Sequence, residues 1–180
     1  HPRVKIIVCD NDSSDGSLEK IQAWCRAEIA TEIPADARLR ATMRSQQSAV
    51  PYTTTTASAV FSRAVQAGDS PVILIDNEAN LGFAAGNNVG LQYALAQDDM
   101  SHVWILNNDT VVDGDCLGNM LSRLEQETRP AVCGSMIHFY DDPRVIQAIG
   151  GNRFNARTGV ALQSEGRFLT EGDAIDIGAI

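Results

Sequence analysis

What this sequence has little of narrows it before any motif is read. Cationic side chains are scarce. Lys and Arg total 14 against 23 Asp and Glu, a formal net charge of −9. Only Lys5 and Lys20 are lysines. An acidic surface repels phosphate backbones and anionic membranes, so nucleic acid is not an expected partner unless a local basic patch exists. Long apolar runs are missing too. The run Val72-Ile73-Leu74-Ile75 falls far below the roughly 20 residues of a transmembrane helix, so no membrane span is expected. Cys9, Cys25, Cys116 and Cys133 stand apart, none at Cys-x-x-Cys spacing and each within an apolar segment. Such cysteines read as buried free thiols in a reducing, cytoplasmic compartment rather than as a zinc site. The sequence has no Gly-x-Ser-x-Gly elbow, no Walker A pattern and no Gly-x-Gly-x-x-Gly fingerprint, which removes three common catalytic or nucleotide-binding designs. His102 and His138 have no partner pattern and read as surface or satisfied core residues.

What remains is a chain of 180 residues, long enough to bury a core without disulfides or a structural metal. Residues 1–180 are read as a single domain. His1-Pro2-Arg3 runs straight into a strand-like segment and the chain stops inside another apolar one, the pattern of a piece cut from a longer protein.

Val4–Cys9 is an apolar, β-branched run closed by the turn-rich Asp10-Asn11-Asp12-Ser13-Ser14-Asp15-Gly16, which predicts a strand and a loop. Leu18, Ile21 and Cys25 recur at helical spacing from Ser17 onward. Residues 31–70 keep no period and contain Pro34, Pro51, Thr53–Thr56 and Arg38, Arg40 and Arg44. They read as a flexible insertion with one helix near Ala59–Ala67. Regular pattern returns with a strand at Val72–Asp76, a helix over Phe83–Gln97, a strand at Val103–Leu106, an amphipathic helix through Leu117, Met120, Leu121 and Leu124, and a strand-like run at Ala131–Phe139. Short strands are expected around Val160 and Ile175. The alternation predicts an α/β fold with a mostly parallel sheet flanked by helices.

Ligands of open α/β sheets bind beyond the carboxyl ends of the strands. Three polar clusters stand there: Asp10–Asp15, Asp76–Asn80 and Asn107–Asp109. Asp10-Asn11-Asp12 fits the nucleophile loop of a haloacid-dehalogenase-type phosphatase acting through Asp10, but that chemistry also needs a later cation and both lysines come early or adjacent. An EF-hand fails, because Asp15 and Ile21 stand where Gly and Glu are required. A loop whose carboxylate accepts a hydrogen bond from a nucleotide base fits, and so does a capped turn. Asp109 ends a hydrophobic strand pattern and suits a hard divalent cation bridged to phosphates, or an Asx turn. Gly86 and Gly90 allow close backbone approach to an anion, or tight helix-to-sheet packing.

Taken together, the clusters resemble the nucleotide-sugar half of family 2 glycosyltransferases of the GT-A fold. Val8–Ser17 looks like that family's strand and Ser-Asp-Gly-Ser loop. Asn77–Gly90 is similar to its Asn-x-Gly…Asn-x-Gly segment. Trp104–Thr110 resembles its Asp-x-Asp region in the Asn-x-Asp form of rhamnosyltransferase-like members, and Ile146–Asn155 looks like that subgroup. The resemblance covers about residues 4–30 and 72–180.

It implies an inverting glycosyltransferase that moves a sugar, rhamnose in the favoured case, from a nucleotide-diphospho-sugar donor to a glycan or lipid-linked acceptor in polysaccharide biosynthesis. By the same resemblance, Asp10 contacts the base and Asn11 and Asp12 line its loop. Gly86 and Asn88 shape the diphosphate site, Asn107 faces the ribose or diphosphate, and Asp109 ligates Mg²⁺ or Mn²⁺. The family's first strand then lies upstream of His1 and its acidic general base beyond Ile180, so this stretch is expected to hold the donor half and to transfer little by itself. A cytoplasmic protein, placed at the inner membrane face when whole, follows. Asp12 stands where the family has Gly, and Asn107 removes one charge from the metal site. The phosphatase and a non-catalytic binding module remain the alternatives.

Overall fold

Val72–Asp76 is the most apolar strand pattern in the chain, and it becomes the centre of a sheet. In the computed structural model, which describes residues 4–31, 33, 48–64, 69–129, 131–149, 153–155, 157–158 and 160–162, the chain divides into two units, His1–Val112 and Asp113–Ile180.

The first unit holds β1 (Ile6–Asp10), α1 (Ser17–Cys25), β2 (Tyr52–Thr56), α2 (Ala57–Phe61), β3 (Val72–Asp76) and α3 (Gly82–Leu95). Its sheet has the order β1-β3-β2 and both pairings are parallel. The register is flush: Ile6 and Tyr52 both face Val72, while Asp10 and Thr56 both face Asp76. All three strands therefore end level, and the polar loops after β1 and β3 emerge side by side. The Asn77 N–H donates to the Asp10 carbonyl at 2.9 Å, which carries the ladder one residue past β3.

The two-residue period of β3 sorts its side chains onto two cores. Ile73 and Ile75 pack with Ala57 and Val60 of α2 and Val89 and Tyr93 of α3, joined by Ile7, Cys9 and Met100. Val72 and Leu74 pack on the other face with Cys25 and, half-buried, Leu18, Ile21 and Trp24 of α1. Full burial of one such aliphatic side chain contributes about 1.5–3 kcal/mol. The buried residues of α3, Gly86, Val89, Gly90, Tyr93 and Ala94, fall at helical spacing and define the stripe laid on the sheet.

Two expectations change here. The Thr53–Thr56 run, read as part of an irregular insertion, is strand β2, because its β-branched side chains fit a pleated surface and β3 offers an edge. Conversely, Val103–Leu106 forms no strand, and Val103, Ile105 and Leu106 are 50%, 51% and 48% exposed. Their propensity finds no pairing edge among the described residues, and a lone strand has nothing to bond to.

The second unit holds α4 (Cys116–Leu124), then β4 (Met136–His138) paired antiparallel with β5 (Ile146–Ile149), and a hairpin of β6 (Arg153–Asn155) and β7 (Val160–Leu162). The amphipathic helix is present, with Cys116, Leu117, Met120, Leu121 and Leu124 half-buried along one side. The strand expected over Ala131–Phe139 shrinks to Met136–His138, and Val132 is fully exposed. The helix expected near Ala59–Ala67 runs instead over Ala57–Phe61, with Ser62 as its C-cap; residues 65–67, the expected strand near Ile175 and the arginines Arg38, Arg40 and Arg44 lie outside the described residues. No helix among the described residues is long and apolar enough to cross a membrane.

Candidate functional site

The flush sheet delivers two of the three polar clusters to one edge. After β1 the chain turns on its own carboxylates. The Ser13 N–H donates to Asp10 Oδ2 at 3.1 Å, and Asp15 Oδ1 accepts both the N–H and the hydroxyl of Ser17. These bonds hold the Asp15 carboxyl below the ordinary carboxylate range, the Ser17 hydroxyl contributing most. Lys20 Nζ closes the loop by donating to the Asp15 carbonyl at 2.8 Å. Asp10 is half-buried and Asp12 exposed.

After β3 the chain turns the same way. The Glu78 N–H donates to Asp76 Oδ1 at 2.7 Å, and Glu78 Oε2 accepts the Ser58 N–H at 2.8 Å, capping the first turn of α2. Hydrogen bonds from the Ser58 hydroxyl and N–H hold the Glu78 carboxyl below its usual range. The Gly82 N–H donates to Asn80 Oδ1 at 3.0 Å as α3 begins.

Left-handed backbone occurs in both loops, as it does at Ala27 and Arg63 outside them. Asp12 has φ +65° and Glu78 φ +60°, with Gly16 and Gly82 at +75° and +73°. Left-handed backbone favours glycine, and non-glycine residues held there gather where the surroundings over-determine the geometry. Asp12 thus holds, at a local cost, a backbone conformation that glycine adopts freely.

Asn11 joins the two loops. Its Oδ1 accepts from Asn77 Nδ2 at 3.2 Å and from the Leu81 N–H at 3.1 Å, and its Nδ2 donates to Asn80 Oδ1 at 3.0 Å. Asn77 is only 3% exposed. Gly86 lies beneath this contact: a Cβ there would sit 3.0 Å from Asn11 Oδ1 and 3.2 Å from Asn77 Nδ2. One turn on, a Cβ at Gly90 would meet Cys9 Sγ at 2.8 Å. Both glycines let α3 approach β1, so the close-packing reading of this pair has direct geometric support. Burial pushes the Cys9 thiol above its ordinary range, which leaves it an inert packing group.

The remaining candidates stand apart. Asn88 is exposed on α3. Asn107 and Asp109 are exposed in the segment without regular structure that follows α3, where the Thr110 hydroxyl donates to the Asn107 carbonyl at 2.7 Å. Among the described residues no hydrogen bond or ion pair ties Asn107 or Asp109 to the loops after β1 and β3. Nor do any three His, Cys, Asp or Glu side chains among them form a group able to hold a metal. A single exposed carboxylate still suits Mg²⁺ or Mn²⁺, which keep several waters and commonly take one or two protein carboxylates together with substrate phosphates. Asp109 fits that role.

Asn77 and Asn80 belong to the polar cluster Asp76–Asn80, but the sequence assigns neither an individual role. Their signal was position: the first and fourth residues after an aligned strand, facing a loop that also opens with an asparagine.

A family model described as Glycosyl transferase family 2 matches residues 53–175, more than half of the chain. The match takes in Gly86, Asn88, Asn107 and Asp109 and leaves out Asp10, Asn11 and Asp12. No curated protein matches the chain, and no solved structure does.

Proposed function

The chain belongs to glycosyl transferase family 2, and from that premise we propose that the edge built by the loops after β1 and β3 receives the nucleoside diphosphate of a sugar donor. Membership makes the chain part of a glycosyltransferase with the GT-A fold. It does not favour the phosphatase reading. The observation that carries the proposal is the set of Asn11 bonds to Asn77, Asn80 and Leu81. They fasten the unmatched β1 loop to the start of α3, inside the matched segment.

On this reading Asp10 accepts the base N–H, with Asn11 and Asp12 shaping its loop. Asn88 and Gly86 help shape the diphosphate site, Gly86 from its buried position beneath Asn11, and Asn107 faces the ribose or diphosphate. Asp109 holds the divalent cation. When bound, that cation offsets charge developing on the departing nucleoside diphosphate. The acceptor hydroxyl, giving its proton to a carboxylate general base, attacks the anomeric carbon, the bond to the diphosphate breaks, and the sugar inverts. Residues 1–180 serve as one catalytic domain, in which β2 and α2, within the stretch 31–70, belong to the sheet and its cover rather than to an insertion. The Asn107-Asn108-Asp109 sequence and the Ile146–Asn155 segment support dTDP-rhamnose as donor and a glycan or lipid-linked acceptor. Four free cysteines fit a cytoplasmic setting, at the inner membrane face for a lipid-linked acceptor.

The test is thermal stability with dTDP, UDP and GDP, with and without Mn²⁺, for the wild type, Asp10→Asn and Asp109→Ala. A ligand specific to the native state adds about 2.7 kcal/mol at a hundredfold excess over Kd. One nucleotide should stabilise the wild type in the presence of metal. Asp109→Ala should abolish the metal dependence, and Asp10→Asn should weaken the response while keeping it metal-dependent. Equal responses from all three proteins would overturn the assignment.

A further inference from the structure

Asn11 has no amide capacity directed at a ligand that its protein contacts do not already claim. Its Oδ1 accepts two hydrogen bonds, from Asn77 Nδ2 and the Leu81 N–H, and its Nδ2 donates to Asn80 Oδ1 and reaches the Gly82 carbonyl at 3.5 Å. The orientation of both amides follows from the backbone. A peptide N–H can only donate, so the Leu81 N–H marks the oxygen of Asn11 and the Gly82 N–H marks the oxygen of Asn80. The Asn11 amide nitrogen then donates to that Asn80 oxygen at 3.0 Å. Beneath it, Gly86 leaves the space: any Cβ at that position would press on Asn11 Oδ1 at 3.0 Å and on Asn77 Nδ2 at 3.2 Å.

From this we propose that Asn11 is a positioning residue. It clasps the loop carrying Asp10 and Asp12 to the start of α3, and the absence of a side chain at Gly86 is what lets the clasp close. Asn11 acts on the donor through the loop it fixes, without touching it. The role assigned to the donor rests on the proposed function above, whereas the clasp itself is a property of the unliganded protein. A side chain at Gly86, a buried position, changes affinity by displacing Asn11.

The experiment is a double-mutant cycle of Asn11→Ala and Gly86→Ala, read by hydrogen exchange at the Leu81 amide without ligand and by the Kd for dTDP or UDP with Mn²⁺. Coupling between contacting residues spans roughly twofold to a hundredfold in an equilibrium constant. Asn11→Ala should accelerate Leu81 exchange and raise Kd about tenfold, within that range. Gly86→Ala should do likewise in the wild-type background and change either quantity less than about twofold once Asn11 is alanine. Additive effects would overturn the clasp.

Asn11→Asp supplies a second arm that survives if Gly86→Ala fails to fold. Its Oδ1 still accepts from Asn77 Nδ2 and the Leu81 N–H, while an ionised carboxylate has no donor for Asn80 Oδ1. At pH 7 Leu81 exchange in Asn11→Asp should therefore be slower than in Asn11→Ala. Equal exchange in the two variants would contradict the clasp. If the wild type binds no nucleotide, the donor reading falls, while the exchange arms still decide the clasp.

Discussion

At the scale of single residues, the two left-handed non-glycine positions in the site loops do different work. Asp12 holds φ +65° with an exposed side chain, so the strain is removable. Asp12→Gly should raise stability by about 1 kcal/mol, because glycine adopts this conformation freely. For a chain of this size that is roughly 2–4 °C in Tm, measurable by calorimetry, and an unchanged or lower Tm would contradict it. Glu78, at φ +60°, is held by its carboxylate, which caps α2 through the Ser58 N–H. Its folded-state pKa lies below the ordinary value because of the Ser58 bonds. Its stabilisation is therefore fully present above the unfolded glutamate pKa and is lost as pH falls through the depressed one. Urea unfolding of wild type and Glu78→Gln at pH 7 and pH 3 should show the wild-type advantage at pH 7 and its loss at pH 3. A gap equal at both pH values would exclude the carboxylate cap.

At the scale of elements, α3 is laid on β1 by two glycines one turn apart. Alanine at Gly90 would gain about 1 kcal/mol of helix propensity but drive a Cβ to 2.8 Å from Cys9 Sγ, and overpacking costs about 1–3 kcal/mol. Gly90→Ala should thus be neutral to destabilising in the wild type and stabilising by about 1 kcal/mol once Cys9 is alanine. Chemical denaturation of the four proteins checks this, and the same effect in both backgrounds would contradict the packing. The glycines were legible in the sequence as anomalies within a helical pattern; that they face Cys9 and Asn11 was not, since it depends on the crossover from β3. Strand β3 was fully legible because four apolar residues in a row need cover on both faces. Strand β2 was not, because four threonines carry no polar–apolar alternation and reveal themselves only against the edge of β3. The segment Val103–Leu106 errs the other way: its β-branched and apolar residues signal a strand, and a signal of propensity contains no information about whether an edge is free to receive it.

At the scale of the whole molecule, the parallel register explains why a site was readable before any coordinates. Strands that start and stop together place their following loops in a row, so polar clusters after Cys9 and after Ile75 had to meet, and they do through Asn11. The cluster at Asn107–Asp109 was equally legible but is not joined to the other two by hydrogen bonds or ion pairs among the described residues. On the proposed donor reading, a chain of net charge −9 needs local positive charge beside the diphosphate, and a divalent cation at Asp109 is the group proposed to supply it.

The measurement that bears most directly on the account is amide chemical-shift mapping of the protein titrated with dTDP or UDP in the presence of Mg²⁺. The account predicts perturbations concentrated at Asp10–Asp15, at Asn80–Ala85 and around Asp109, with the last group lost on chelation. Perturbations confined to other surfaces, or none in these loops at saturating nucleotide, would contradict a donor site at the carboxyl edge of the sheet.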